Sequence, residues 1–142
     1  MTIEIRVTQD IAACHDLRRR VFIEEQGISE ADEMDDLDDQ ATHLLALQDG
    51  QPVGTARLLQ KGRTGKIGRV CVLPVARGTG LGAALIRAGI DHFAADPGFD
   101  EVYLSAQVPV LGFYERLGFV AHGPEYDDAG IPHRDMTLPL AR

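Results

Sequence analysis

A strand, a glycine turn and a helix in immediate succession set the frame for this chain. The stretch is Ile67 to Asp91, IGRVCVLPVARGTGLGAALIRAGID. Ile67 to Leu73 is apolar and β-branched, with Arg69 its one charge, which predicts a buried strand. Pro74 ends it, because proline has no N–H to give a sheet ladder. Leu81, Ala84, Leu85, Ala88 and His92 then recur at helical spacing. Between strand and helix lies Arg77-Gly78-Thr79-Gly80-Leu81-Gly82. Glycines at a helix start let the backbone approach a ligand closely. The first helical turn adds unpaired N–H groups and the positive end of the dipole. Together these suit a pyrophosphate.

The 142 residues predict one domain, spanning 1–142, with enough chain to bury a core. No apolar run approaches the roughly 20 residues that cross a bilayer. The N-terminus, MTIEIRVTQD, lacks a basic-then-apolar signal pattern, so a cytoplasmic location and no membrane partner are expected. Seven of the ten residues from Glu30 to Asp39 are acidic, and they account for all but one unit of the net charge of −8. The rest is near neutral, which argues against nucleic-acid binding through a broad basic surface. Two isolated cysteines, Cys14 and Cys71, read as small core hydrophobes rather than a disulfide framework. No His/Cys/Asp spacing fits a metal-ligand set, so no metal is expected.

In chain order, Thr2 to Thr8 alternates as a half-buried strand, with Ile3, Ile5 and Val7 on one side. Asp10 is a good N-cap for a helix carrying Ile11, Cys14, Leu17, Val21 and Phe22 on one stripe, and Gly27 can close it. Arg18 to Arg20 is expected on its solvent side. Ile28 to Asp39 is aperiodic and reads as an acidic loop. His43 to Leu47 and Pro52 to Gln60 form a hairpin about Asp49-Gly50. Lys61 to Lys66 reads as a connection. After the central helix, which ends near Pro97, come a strand at Val102 to Ala106 and a short helix at Val110 to Leu117, stopped by Gly118. Phe119 to Ala121 is extended, Glu125 to Pro132 is turn-rich, and His133 to Leu138 is a last strand. The order predicts a mixed sheet with helices on its faces.

Three kinds of diphosphate ligand compete for the glycine turn. A nucleoside-triphosphate loop needs Gly-Lys-Ser/Thr entering the helix, and Gly80-Leu81-Gly82 stands there instead. Gly78, Gly80 and Ala83 satisfy a dinucleotide fingerprint, but Asp100 and Glu101 sit at the start of the next strand rather than its end, and no second βαβ half follows. The third ligand is an acyl-coenzyme A. For it, the turn combines with a second motif, Phe113-Tyr114-Glu115-Arg116-Leu117-Gly118-Phe119. With both motifs in this order, the chain resembles the GNAT superfamily of N-acetyltransferases along nearly its whole length. Val21-Phe22-Ile23-Glu24-Glu25-Gln26-Gly27, the acidic loop, Asp39-Gln40-Ala41-Thr42-His43 and Ala129-Gly130-Ile131-Pro132-His133 resemble its small bacterial ElaA-like branch.

The resemblance implies an α/β fold with a mostly antiparallel mixed sheet of six to seven strands, splayed in the middle and flanked by about four helices. It implies acetyl-CoA as cosubstrate, no metal, a small-molecule or peptide amine as acceptor, and a possible homodimer. The backbone of Val70, Cys71 and Val72 would run beside the pantetheine arm, and an amide near Val72 would face the acyl oxygen. The N–H groups from Gly78, Thr79, Gly80, Leu81, Gly82 and Ala83 would hold the diphosphate, with Arg77 at the loop's start. Phe113 is placed with the cofactor, and Tyr114 matches the family's usual general acid.

The chemistry also needs a base, because alkyl amines are mostly protonated near neutral pH. Glu25, which closes the first helix, and His133, which follows a rigid turn, are the candidates; the acidic loop is either a field for a cationic amine or simply solvated. His43 reads as structural. Cys71 as a covalent nucleophile is disfavoured, since no base lies nearby in sequence. A non-catalytic acyl-CoA sensor and a dinucleotide-binding protein are the rival readings.

Overall fold

In the computed structural model, which describes residues 2–140, seven strands form one sheet in the order β1-β2-β3-β4-β5-β7-β6. They are β1 (Ile3–Thr8), β2 (Thr42–Gln48), β3 (Gln51–Lys61), β4 (Thr64–Val72), β5 (Glu101–Gln107), β6 (Val120–Asp128) and β7 (Ile131–Pro139). Four α-helices accompany them: α1 (Ile11–Arg18), α2 (Glu30–Glu33), α3 (Leu81–Ala94) and α4 (Leu111–Glu115). Every neighbouring pair is antiparallel except β4 with β5.

Each face of the sheet has its own core. Leu44, Ala56, Leu58, Ile67, Val102 and Leu104 pack against Leu81, Leu85, Ile86 and Phe93 of α3. On the other face, Cys14, Leu17 and Val21 cover Leu45, Leu47, Cys71 and Leu73. α3 is pressed close to the sheet at Gly65, where an added Cβ would come within 2.4–2.5 Å of Phe93 ring atoms. Gly65→Ala is therefore expected to destabilise the fold by about 1–3 kcal/mol, as overpacking does; a urea midpoint equal to the parent's would show that the ring has room to move.

The sheet comes apart in its middle. Parallel pairing of β4 with β5 runs only from Thr64 to Lys66 against Glu101 to Tyr103. Beyond Lys66 a gap opens. Just past this point β4 carries an extra residue: Thr55 pairs with Cys71 and Arg57 with Gly68, so two steps on β3 match three on β4. That is a β-bulge. Arg69 sits in it at φ 50°, in the left-handed region that non-glycine residues seldom enter. The bulge also reverses which residues face which way. Gly65 and Ile67 face α3 before it, whereas Val70 and Val72 do so after it, and Cys71 and Leu73 turn toward α1.

Several expectations change. Arg18 is not on a solvent face; it is 1% exposed, because Glu33 and Asp38 come over it and satisfy its charge. Helix α1 gives way to a wider turn of π-helix from Arg19 to Glu25 before Gly27 reverses the chain at φ 74°. β1 is an edge strand: Ile3 and Val7 stay 42% and 57% exposed, and of its apolar residues Ile5 packs on the core. The 61–66 connection shrinks to a turn at Gly62-Arg63, with Thr64 to Lys66 already in β4. The short helix is a 3-10 turn at Val108–Val110 and then α4, shorter than its sequence pattern. Glu125 to Pro132 is mostly strand, since β6 and β7 form one hairpin whose two central residues, Ala129 and Gly130, both take positive φ.

Candidate active site

The gap between β4 and β5 is the floor of a cavity of about 380 Å³. Which backbone groups face it follows from the ladder. Leu73 N donates to Val53 O at 2.8 Å, so Leu73 and Cys71 direct their polar groups to β3. Val70 and Val72, alternating with them, direct theirs into the gap. Arg77 Nε donates to Val72 O at 3.0 Å across that same edge. Of the three residues expected beside the pantetheine arm, Val70 and Val72 turn their backbone groups to the gap, while Cys71 turns its own to β3. The Cys71 side chain is buried beneath α1, and burial pushes its thiol up to about 12, which leaves almost no thiolate for attack.

One end of the cavity opens toward the glycine turn. Gly78 and Gly80 hold φ of 77° and 83°, and a Cβ on either would meet nothing within 4 Å. The glycines there thus serve the backbone conformation and leave its surface bare. Thr79 Oγ1 fastens the turn by donating to Ala76 O at 2.6 Å. The amides of Leu81, Gly82 and Ala83 fall in the first turn of α3, where an α-helix supplies no acceptor for them. Phe113 reaches back to this point: its Cζ would lie 3.7 Å from a Cβ at Gly82, and Val72 Cγ2 4.0 Å. Loop, Phe113 and the β4 edge are therefore contiguous, as a diphosphate with an extended arm requires.

Arg77 is committed elsewhere. Its two terminal nitrogens donate to both oxygens of Glu25, each at 2.6 Å. The Arg77 hydrogen bonds hold the Glu25 carboxyl below the usual carboxylate range. Tyr114 lines the cavity and packs against Phe113 and Phe119. Burial pushes its hydroxyl up to about 12. Among the described residues the hydroxyl has no protein hydrogen-bond partner. His133 also lines the cavity, with its ring stacked beside Tyr126. Its Nδ1 lies 2.8 Å from Ile131 O, so that nitrogen carries a proton and donates, which leaves Nε2 as the nitrogen able to take up a proton. His43 is buried, with Nε2 3.0 Å from Asp38 O, and is structural.

The acidic loop is divided: Asp32, Asp36 and Asp39 are exposed, while three of its carboxylates are taken up by buried arginines. Asp35 chelates Arg57 at 2.7 and 2.9 Å; Glu33 holds Arg18 at 2.7 Å; Asp38 receives Arg18 at 3.0 Å, Arg57 at 3.2 Å and His15 at 2.7 Å. Sequence reading missed Arg57, Lys66 and Arg69, all three of which line the cavity. The signal was there. Arg57 and Arg69 are lone charges inside otherwise apolar strand runs, opposite a chain segment with a surplus of carboxylates.

A splayed mixed sheet with a glycine turn opening onto the splay defines an acyl-CoA N-acyltransferase fold. The chain belongs to the GNAT acetyltransferase family, whose acetyltransferase (GNAT) domain pattern matches residues 12–140. It is 38% identical over 97% of its length to the uncharacterized protein YyaT of Bacillus subtilis, covering 95% of that protein, and 33% identical to Escherichia coli ElaA over 94% of this chain and 90% of ElaA. The crystal structure of an acyl-CoA N-acyltransferase from Pseudomonas aeruginosa superposes with a TM-score of 0.87 at 32% identity, covering 96% of this chain and 99% of that one. The expected resemblance to ElaA is borne out at both levels, since the ElaA crystal structure also superposes, with a TM-score of 0.85. No helix among the described residues is long and apolar enough to cross a membrane.

Proposed function

We propose that this protein moves an acetyl group from acetyl-CoA directly to the amine of a small molecule or peptide. The observation that carries this reading is that the Tyr114 hydroxyl, the gap-facing backbone of Val70 and Val72, and His133 share one cavity. Bound acetyl-CoA supplies a thioester carbonyl, open to attack by a neutral amine. The turn from Gly78 to Ala83 takes its diphosphate, and Val70 and Val72 pair with the pantetheine amides. The Val72 N–H is aimed at the acyl oxygen, where negative charge develops. His133 Nε2, directly or through water, takes the proton that the attacking amine loses. Tyr114 gives its proton to the departing sulfur as the carbon–sulfur bond breaks, and regains one from solvent. Glu25 suits the base role less, because its carboxylate is already paired and weakly basic.

Calorimetric titration with acetyl-CoA and with NAD, side by side, tests the cofactor assignment. Acetyl-CoA is expected to bind and NAD not to. Binding of NAD alone would overturn the assignment. Acetyl-CoA binding with no transfer to any member of a broad amine panel would favour a sensor.

A further inference from the structure

The far end of the cavity is cationic. There its wall carries Lys66, the last β4 residue paired with β5, and, just past it, Arg69 in the bulge and Arg57 on β3. Arg18 stands behind them, fully buried. The acidic loop turns three carboxylates inward to this group, Glu33, Asp35 and Asp38, and each goes to an arginine. Four cations thus face three anions. Lys66 is left over: among the described residues it has no ion pair, and Nζ rests 5.7 Å from the centre of the Tyr103 ring. Two further donors nearby are buried without a hydrogen-bond partner, Arg57 Nε and Arg69 Nε. Arg57 itself is 4% exposed, so no bulk water compensates it. An unpaired buried donor is destabilising, which makes this wall a place that gains from an incoming anion.

The diphosphate of acetyl-CoA is not that anion. It belongs at Gly78 to Ala83, and Lys66 to Val72 alone is six residues of extended strand, roughly 20 Å at the usual rise. What enters from the acceptor side can reach it. Arg69 stands three residues before Val72, whose N–H would face the acyl oxygen, and Lys66 extends the same wall away from it. Of the remaining carboxylates, Glu25 is tied to Arg77 and Asp32 stays exposed at the rim; exposed Asp128, and Asp135, which accepts from Tyr103 and Tyr126, act on Lys66 from a distance without forming an ion pair with it.

We propose that the acceptor is an amine that also bears a carboxylate, and that Lys66 and Arg69 receive that carboxylate while the amine faces the thioester. This rests on the acetyl-transfer reading above. It reverses the preference that an acidic loop suggests by itself, because the three carboxylates that loop turns inward are consumed in holding the arginines. Burial, with Arg57 and Arg69 close by, lowers the affinity of Lys66 for its own proton; a bound carboxylate offsets both effects.

The test compares matched amines on the full-length protein: lysine with cadaverine, phenylalanine with phenethylamine, β-alanine with ethylamine. The acid-bearing member is expected to have a kcat/KM at least tenfold higher in one or more pairs. Lys66→Met should cut that preference to less than threefold, and Lys66→Arg should restore most of it, with acetyl-CoA affinity unchanged in both. Equal use of both members, preference for the decarboxylated amine, or a preference that survives Lys66→Met overturns the proposal. So does transfer to no member of any pair by protein that binds acetyl-CoA. Failure to bind acetyl-CoA at all would instead overturn the reading beneath it.

Discussion

Tyr114→Phe is expected to lower kcat by roughly a hundredfold or more, the usual worth of a positioned general acid, while acetyl-CoA affinity changes by less than about threefold. The substitution removes one oxygen and keeps the ring, so the packing against Phe113 and Phe119 survives. The hydroxyl has no protein partner to leave stranded among the described residues. Its proton is secure: burial raises its pKa to about 12, so the acid form persists far above neutral pH. The parent rate should therefore show no falling limb from this group below about pH 11. A Phe variant with parental kcat would remove Tyr114 from the chemistry and leave it a packing residue.

The largest effect on stability is expected at Asp38. One carboxylate there serves Arg18, Arg57 and His15, and Arg18 and Arg57 are almost wholly buried. Asp38→Ala strips a partner from two buried guanidinium groups, and breaking buried pairs from one side costs about 3–5 kcal/mol. Chemical denaturation measures it, and a loss under about 1 kcal/mol would mean that water replaces the carboxylate freely. The pH dependence has a fixed sign. Burial alone would raise the Asp38 carboxyl, but the hydrogen bonds from Arg18 and His15 outweigh it and hold the carboxyl far below its usual range. Its contribution is then complete above the unfolded value near 4 and drains away as pH falls below it. Asp38→Asn should lose that dependence, its stability falling less steeply than the parent's in acid.

The fold was largely legible because its signals are local. Alternation in Pro52 to Gln60, the Asp49-Gly50 turn, and the strand, turn and helix of Ile67 to Asp91 each act within a few residues. The site was half legible for the same reason. The glycine turn and the Phe113 to Phe119 segment are contiguous motifs. The cationic wall is not: Arg57, Lys66 and Arg69 sit on two strands, and the carboxylates that meet the two arginines arrive from a loop 19 to 36 residues away. Charge complementarity at that separation depends on how the chain folds back, which periodicity does not encode. Arg18 misled for the same reason. On a helix read alone it is polar and should face water, until the acidic loop is laid over it.

The bulge at Arg69 has a consequence for how such a cleft arises. Everything in β4 beyond that residue is shifted by one position relative to β3. Delete Arg69 and parity reverts: Val70 and Val72 would swing toward α1, and Cys71 and Leu73 would be driven into the packing beneath α3. Along β4, which side chains belong to which core thus hangs on a single inserted residue, a change one codon long.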